Sequence, residues 1–259
     1  MKTIKGIWRF SRVICYTFVC LFQAYTRFKH VDRKEKGRML RYYPTQVLKL
    51  AGVRCSYEGH VPELLHECGL TDTPPACLVL SNHVSWLDIF SLDSQLPSRF
   101  IAKAEIAKWP IFGLIAQQIG TLFINRSSKR AILRINDDIR GALCNCEAVT
   151  IFAEGTTTFG NELLPIKANF IAPVCEIGAT VQPVILSYKN KGKPTKQAAF
   201  SGDVTLFGSL WNVVTMEDAE VVVHFLEPIT NTKDLTRHEV AKICEERMRA
   251  KLQEIWGDE

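Results

Sequence analysis

The sequence predicts an α/β fold in which a central mixed, mostly parallel sheet is flanked by helices. Three short apolar runs have the length of buried strands, and each is followed by polar residues and later by apolar residues at helical spacing. These runs are Ala76–Leu80, Leu122–Ile124 and Val149–Phe152. Strands that alternate with helices are typical of parallel sheets, in which the carboxyl ends of successive strands meet at one edge. The 259 residues are enough to bury a substantial core.

Residues 1–41 form a basic arm that the sequence assigns to a membrane surface. They carry eleven Lys and Arg against two Asp and Glu, a net charge of +9, while the whole chain has +5. Such an arm could bind nucleic acid or anionic lipid, and the aromatic-rich apolar stretch between Arg12 and Arg27 favours lipid. That stretch has fourteen residues, or about 21 Å of helix, against the roughly 30 Å of hydrocarbon in a bilayer. We therefore expect a helix lying in the interface of an anionic membrane and no nucleic-acid partner, with a membrane span or a cleaved signal peptide as the alternatives.

A second amphipathic helix is expected over residues 38–51, ending before Gly52, with Pro44 marking a kink or its true start. The two helices would form a membrane-binding hairpin over residues 1–52, ahead of an α/β domain over residues 53–259. The nine cysteines include no C-x-x-C pair, which favours free thiols in a reducing compartment over a zinc site or disulfides. These features predict a protein bound to the cytoplasmic face of a membrane, the inner membrane if the source is bacterial.

The remaining elements follow from local patterns. Residues 53–58 alternate as a first strand, and apolar residues recur at helical spacing over residues 129–146. Further strands and a terminal amphipathic helix are expected at residues 181–187, near Gly202, at residues 220–225 and at residues 234–256.

The stretch Ser81–Asp88 places His83 on a strand-to-helix turn. Five residues inside one helix would put two side chains roughly 140° apart, so His83 meets Asp88 only if His83 precedes the helix and Asp88 lies in its first turn. Ser85 and Asp88 have the spacing of a capping box, which puts Ser85 at the N-cap and folds the imidazole back onto the carboxylate. A carboxylate fixes the tautomer of such a histidine and stabilises its imidazolium, so the other ring nitrogen can take a proton from a hydroxyl.

No obvious protein nucleophile accompanies this pair, and the chain contains no G-x-S-x-G elbow. The simplest chemistry is therefore attack by a hydroxyl of the substrate on an acyl donor, assisted by His83 as the base. A structural histidine near a strand end is the alternative, and the residues of this stretch alone leave both open.

Four segments in order resemble the conserved blocks of a known enzyme family. They are Asn82–Asp88 (NHVSWLD), Gly120–Arg126 (GTLFINR), Phe152–Thr157 (FAEGTT) and Val181–Val184 (VQPV). The first resembles the N-H-x-x-x-x-D block of the glycerolipid acyltransferases, the 1-acylglycerol-3-phosphate acyltransferase (PlsC-like) enzymes, and the others follow in that family's order. The resemblance implies a glycerolphosphate acyltransferase-like fold and an O-acyltransferase activity.

By this resemblance, the donor is acyl-CoA or acyl carrier protein and the acceptor is the free hydroxyl of a lysophospholipid. The first choice of acceptor is 1-acylglycerol-3-phosphate, which would become phosphatidic acid, with His83 as the general base and Asp88 as its orienting partner. No metal and no bound cofactor is implied. The alternatives are acylation of another lyso-lipid such as lyso-ornithine lipid, a non-catalytic lipid-binding protein on the same scaffold, and a hydrolase that uses Ser81 or Ser85.

Two cations are candidates for binding the acceptor. Lys103 stands where the resembled family has a lysine that helps to line the polar site, and a solvated helix-cap lysine is its alternative. Arg126 matches the arginine that the family uses to hold the phosphate of the acceptor. Guanidinium suits this task because its planar fork bonds phosphate through two donors.

The third block supplies the other candidates. Glu154 is expected to bind an acceptor hydroxyl or to organise the site, and Gly155 allows close approach of the backbone. The hydroxyls of Thr156 and Thr157 can bond an oxyanion. The family commonly has Arg after E-G-T, so Thr157 removes one cationic contact with phosphate. Lys167, at the end of a segment resembling the family's P-F-K, could supply part of the lost charge.

Overall fold

The structure is a computed structural model that describes residues 2–60, 76–125 and 129–257. These residues form eight α-helices and eight β-strands. The helices are α1 (Lys2–Thr26), α2 (Arg33–Ala51), α3 (Leu87–Gln95), α4 (Phe112–Gln118), α5 (Lys129–Cys144), α6 (Ala172–Ile177), α7 (Leu206–Val214) and α8 (Arg237–Trp256). The strands are β1 (Val53–Gly59), β2 (Cys77–Ser81), β3 (Arg99–Lys103), β4 (Leu122–Ile124), β5 (Val149–Phe152), β6 (Thr180–Asn190), β7 (Lys193–Pro194) and β8 (Ala219–Phe225).

The strands form one sheet in the order β1-β8-β6-β2-β5-β3-β4, with β7 paired to the end of β6. β6 runs antiparallel to β7 and β8, and the other neighbouring pairs are parallel. The predicted mixed, mostly parallel sheet is confirmed. β2 lies between β5 and β6, with Ser81 beside both Phe152 and Val184. The turns that follow β2 and β5 therefore leave the sheet at the same edge.

Alternation along the strands separates two hydrophobic cores, one on each face of the sheet. In β2, Cys77 and Val79 belong to one core and Leu78 and Leu80 to the other. The first core is covered by α1, α2, α3 and α7, and the second by α5, α6 and α8. The molecule is thus a three-layer helix–sheet–helix sandwich, the arrangement that buries both faces of a mostly parallel sheet.

The two N-terminal helices are part of the first core. Val13 of α1 and Val47, Leu48 and Ala51 of α2 are buried in it. Arg9 of α1 also donates to the backbone carbonyls at the end of α7, at 3.0–3.1 Å. The boundary expected at residue 52 therefore crosses a continuous core, and the hairpin is attached to the rest of the chain by apolar and polar contacts.

Both ends of α2 have identifiable capping residues. The Asp32 side chain accepts a hydrogen bond from the backbone N–H of Glu35, which caps the N-terminus. Gly52 has φ +78 and closes the C-terminus through its N–H, a left-handed conformation that glycine adopts without steric cost. The helix starts at Arg33 and continues through Pro44, so Pro44 does not mark its beginning.

One expected strand is wrong: the chain after Gly202 forms α7. Thr205 caps this helix by accepting a hydrogen bond from the N–H of Gly208. Leu210, Val213 and Val214 then lie at helical spacing and are buried in the first core. Their period of three to four residues fits a helix better than the two-residue period of a strand.

Helix α1 is apolar on two sides. Besides its buried side, it exposes seven large apolar side chains: Ile4, Ile7, Trp8, Phe18, Val19, Phe22 and Tyr25. Across the described ranges of the chain, no helix combines the length and the apolar character needed to cross a bilayer.

Candidate active site

The turn between β2 and α3 brings His83 and Asp88 together. His83 Nδ1 lies 2.7 Å from Asp88 Oδ2. α3 begins at Leu87, so His83 precedes the helix and Asp88 lies in its first turn. The Asp88 side chain is fully buried, whereas that of His83 is 22% exposed. With Nδ1–H donating to the carboxylate, Nε2 is left to accept a proton.

The Asp88 carboxylate receives four hydrogen bonds. Oδ2 accepts from His83 and from the backbone N–H groups of Val84 and Ser85, at 2.7 and 2.9 Å. Oδ1 accepts from the hydroxyl of Tyr188 on β6, at 2.6 Å. A buried charge is costly without such partners, so these donors replace the water that the carboxylate has lost.

The cap of α3 differs from the predicted capping box. Trp86, not Ser85, is the N-cap, and Ser85 Oγ accepts weakly, at 3.4 Å, from Leu87 N–H. The other half of the box is present, because the Asp88 carboxylate accepts from Ser85 N–H. The turn wraps around the carboxylate, which also accepts hydrogen bonds from Val84 and His83. The helix therefore begins one residue later than the capping box predicts, at Leu87.

The turn after β5 holds His83 in place from the other side. The imidazole stacks on Phe152, with 3.9 Å between ring centroids and 9° between the planes. The backbone N–H of His83 donates to Glu154 Oε1 at 2.9 Å, and its carbonyl accepts from Thr158 N–H at 2.8 Å. The two turns are thereby joined into one rigid unit.

Glu154 organises this unit. Its side chain is buried, Oε1 accepts from His83 N–H, and Oε2 accepts from Leu164 N–H at 2.9 Å. Burial raises the pKa of the Glu154 carboxyl. Of the two roles expected for Glu154, these two hydrogen bonds to backbone N–H groups support organisation of the site.

Two residues that the sequence did not single out complete the support of the His–Asp pair. The buried Asn82 amide bonds both the N–H and the carbonyl of Leu186, at 2.8 and 3.1 Å, and so fastens the end of β2 to β6. Its place beside His83 in the first block was an available signal. Tyr188 lies one hundred residues from Asp88 in sequence. No local pattern pointed to it.

An apolar cavity of about 430 Å³ opens beside His83. Its volume is typical of a small-molecule site. The imidazole shares the wall with apolar and aromatic residues from the first and second helices, from α3 and from β3 to α4. Representative wall residues are Ala24, Met39, Val47, Ile89, Phe90, Phe100, Ile106, Phe112, Ile115 and Phe152.

Four of the expected binding residues line this cavity: Lys103, Gly155, Thr156 and Thr157. Lys103 Nζ lies 3.9 Å from Glu105 and is half exposed, so it remains accessible. Gly155 has φ +76, the left-handed conformation that glycine favours. The Thr157 hydroxyl donates to the carbonyl of Phe200 and is therefore partly engaged.

The other two expected cations are Arg126 and Lys167. Arg126 lies outside the described residues. Lys167 is exposed, its N–H donates to the carbonyl of Ala153 at 3.3 Å, and it is absent from the described lining of the cavity.

A further carboxyl, Asp93, lies on the cavity wall two turns along α3. It is 2% exposed and accepts a hydrogen bond from the N–H of Ser98 at 3.1 Å. Burial raises the pKa of Asp93 well above its usual range. As for metals, no cluster of three His, Cys, Asp or Glu side chains suited to a metal ion occurs within residues 2–60, 76–125 and 129–257.

Comparison with known proteins gives consistent results. Residues 62–187 match the model of the acyltransferase family. The chain is 39% identical over 178 residues to a 1-acyl-sn-glycerol-3-phosphate acyltransferase of Neisseria gonorrhoeae, covering 68% of this chain and 69% of the relative. It is also 39% identical over 175 residues to a lyso-ornithine lipid O-acyltransferase of Pseudomonas aeruginosa, covering 68% and 67%.

Among solved structures, the chain resembles the 1-acyl-sn-glycerophosphate acyltransferase PlsC of Thermotoga maritima. The TM-score is 0.71, with 98% of this chain and 97% of that chain covered. The sequence identity is 18%, so this similarity shows a shared fold.

The buried Asp93 predicts a pH-dependent stability. Its folded-state pKa is raised above the unfolded value of about 3.9, so its contribution is most favourable below that value and is lost as pH rises through the folded pKa. Asp93→Asn retains an acceptor for Ser98 N–H but has no proton to lose. We expect this variant to exceed the wild type in unfolding free energy at neutral pH, with the gap closing towards pH ~4.

Urea unfolding at a series of pH values measures the gap, with the exposed Asp203→Asn as the control. A difference in unfolding free energy between Asp93→Asn and the wild type that does not change with pH would contradict a raised pKa for Asp93.

Proposed function

The chain belongs to the acyltransferase family, and from this premise we propose that it transfers a fatty acyl group from acyl-CoA or acyl carrier protein to the free hydroxyl of a lysophospholipid. The observation that carries the proposal is the His83–Asp88 pair, whose imidazole is bonded through Nδ1 and borders an apolar cavity. The names of the relatives point to a lyso-lipid acceptor. We favour 1-acylglycerol-3-phosphate as the acceptor and phosphatidic acid as the product.

The proposed chemistry is general base catalysis. The acceptor hydroxyl gives its proton to His83 Nε2 as its oxygen attacks the thioester carbonyl. The tetrahedral intermediate then collapses, the carbon–sulfur bond breaks, and the imidazolium returns the proton to the leaving thiolate. Asp88 stabilises the imidazolium throughout, as a carboxylate does for a catalytic histidine.

The cavity and the β5 turn supply the binding groups. The apolar wall suits a fatty acyl chain, because burial of each CH₂ contributes about 0.8 kcal/mol. At Gly155 the backbone can approach a reacting group closely, and the exposed Thr156 hydroxyl can donate to a developing oxyanion. We assign Lys103 and Arg126 to the acceptor phosphate, and Lys167 to a peripheral role because it stands outside the cavity wall.

A second acceptor, lyso-ornithine lipid, is favoured by one observation: relatives with the two activities are equally identical to this chain. The neutral Thr157, on the cavity wall where relatives of the E-G-T-R type carry an arginine, is consistent with a looser choice of head group.

We also propose that residues 1–52 anchor the α/β domain of residues 53–259 to the cytoplasmic face of an anionic membrane. At about 100° per residue, the exposed apolar side chains of α1 all fall within one arc of roughly 120°, so they form one stripe along the helix. An apolar stripe on a basic segment is typical of a helix lying in the membrane interface.

The His83→Ala variant should lose at least a hundredfold in turnover while remaining folded, because a positioned general base contributes about 10²–10⁴. Release of free thiol from an acyl thioester in the presence of lysophosphatidate measures the rate. The matched control is His238→Ala, which removes an exposed imidazole from α8. Near-normal acyl transfer by the His83→Ala variant would contradict general base catalysis by His83.

The acceptor choice is tested by Thr157→Arg. A guanidinium on the cavity wall should shift the ratio of kcat/KM towards 1-acylglycerol-3-phosphate by roughly tenfold, if about 1.4 kcal/mol is gained from a charge-assisted contact. The assay is a competition between lysophosphatidate and lyso-ornithine lipid. Thr157→Gln is the control, because it also removes the contact with the Phe200 carbonyl but adds no charge. Equal ratios for the two variants would show that position 157 does not face the head group.

Membrane anchoring is tested by the double variant Trp8→Ser with Phe22→Ser. Each large apolar side chain contributes about 1.5–3 kcal/mol when buried, so affinity for anionic vesicles should fall at least tenfold. Binding by the wild type should weaken as salt is raised, because basic residues contribute. The control is Leu133→Ser, which removes an exposed apolar side chain from α5. Vesicle affinity equal to that of the control would place the anchor elsewhere.

A further inference from the structure

We propose that Tyr188 is a positioning residue for acyl transfer, which acts on His83 through the Asp88 carboxylate; this role rests on the proposed function. The Tyr188 hydroxyl donates to Asp88 Oδ1 at 2.6 Å, on the oxygen that His83 does not contact. Tyr188 is 3% exposed and Asp88 is fully buried, so solvent competes little for this contact.

The two carboxylate oxygens of Asp88 are held from different parts of the fold. The three donors to Oδ2 are His83, Val84 and Ser85, which all belong to the turn that carries the imidazole. Such donors can move together with the turn. Tyr188 belongs to β6, which pairs with both β2 and β8, and its ring is packed in the first core. Tyr188 therefore fixes the orientation of the carboxylate relative to the rigid sheet. The imidazole, which is bonded to the carboxylate, is fixed with it.

The hydrogen bond also acts on the charge of Asp88. A donor to Oδ1 draws electron density from the carboxylate and reduces its pull on the Nδ1 proton. Burial raises the pKa of Tyr188 well above its usual range, so its hydroxyl keeps its proton through the pH range of an assay. Loss of the donor would leave a buried carboxylate with less compensation and a stronger hold on the histidine proton.

A purely structural role for this hydroxyl is the competing explanation, and the neighbouring residue provides the control. Ser187 is adjacent on β6 and equally buried, and because side chains alternate along a strand it faces the other side of the sheet from Tyr188. Its Oγ bonds His224 Nε2 at 2.7 Å. Ser187→Ala thus removes a buried hydroxyl from the same strand without touching Asp88.

The central experiment compares Tyr188→Phe with Ser187→Ala. For Tyr188→Phe we expect kcat to fall about tenfold to a hundredfold, with the KM of both substrates changed less than threefold. We expect the acid limb of the kcat/KM profile to move to higher pH, because the carboxylate retains the histidine proton more strongly. Ser187→Ala should leave the profile unmoved, whatever it does to stability.

A second variant keeps the test valid if Tyr188→Phe fails to fold. Site-specific 3-fluorotyrosine at position 188 keeps the shape of the ring and has a more acidic hydroxyl, which is a stronger donor. It should move the acid limb to lower pH, opposite in direction to Tyr188→Phe. An unmoved profile in both variants would overturn the role.

The titration of the His83 ring, followed by NMR in protein labelled with ¹⁵N-histidine, makes the same comparison without substrate. A wild type that titrates but transfers no acyl group to any lyso-lipid would overturn the proposed function alone. A His83 titration that is identical in the wild type, the phenylalanine variant and the fluorotyrosine variant would overturn the role of Tyr188 alone.

Discussion

The local structure of the site depends on one buried charge, the Asp88 carboxylate. An ionised group removed from water is tolerated only where hydrogen-bond donors surround it, and here four donors converge on two oxygens. Three of them fix the turn after β2, and the fourth fastens that turn to β6. The imidazole is oriented because the carboxylate must be satisfied, so the electrostatic requirement of the fold coincides with the geometry that the proposed general base catalysis needs.

The turn after β5 completes this arrangement with a second buried carboxyl. Glu154 accepts the N–H of His83, and the His83 ring lies flat on Phe152, the last residue of β5. The parallel pairing of β2 with β5 makes both contacts possible, because it brings the two turns to the same edge of the sheet. The sheet topology therefore positions the His–Asp pair as directly as the local turn does.

Much of this could be predicted from the sequence, and the limits have physical causes. The spacing of His83 and Asp88 predicted a contact across a turn because it is incompatible with one helical face. Apolar runs predicted the strands, since burial on both faces removes polar residues from them. Tyr188 and Asp93 were not predicted, because their roles depend on tertiary neighbours and each sits in an ordinary local pattern. α7 was missed because its start rests on a single Thr205 cap after a loop.

The N-terminal helices show why a domain boundary predicted from composition need not coincide with a boundary in the packing of the core. On one side, α1 buries Val13 in the core and places Thr17, Cys20 and Ala24 on the cavity wall. On the other, it exposes its apolar stripe. An exposed apolar stripe on a surface helix marks a side that another apolar medium can cover. If that medium is the membrane, α1 is both the anchor and one wall of the cavity beside His83.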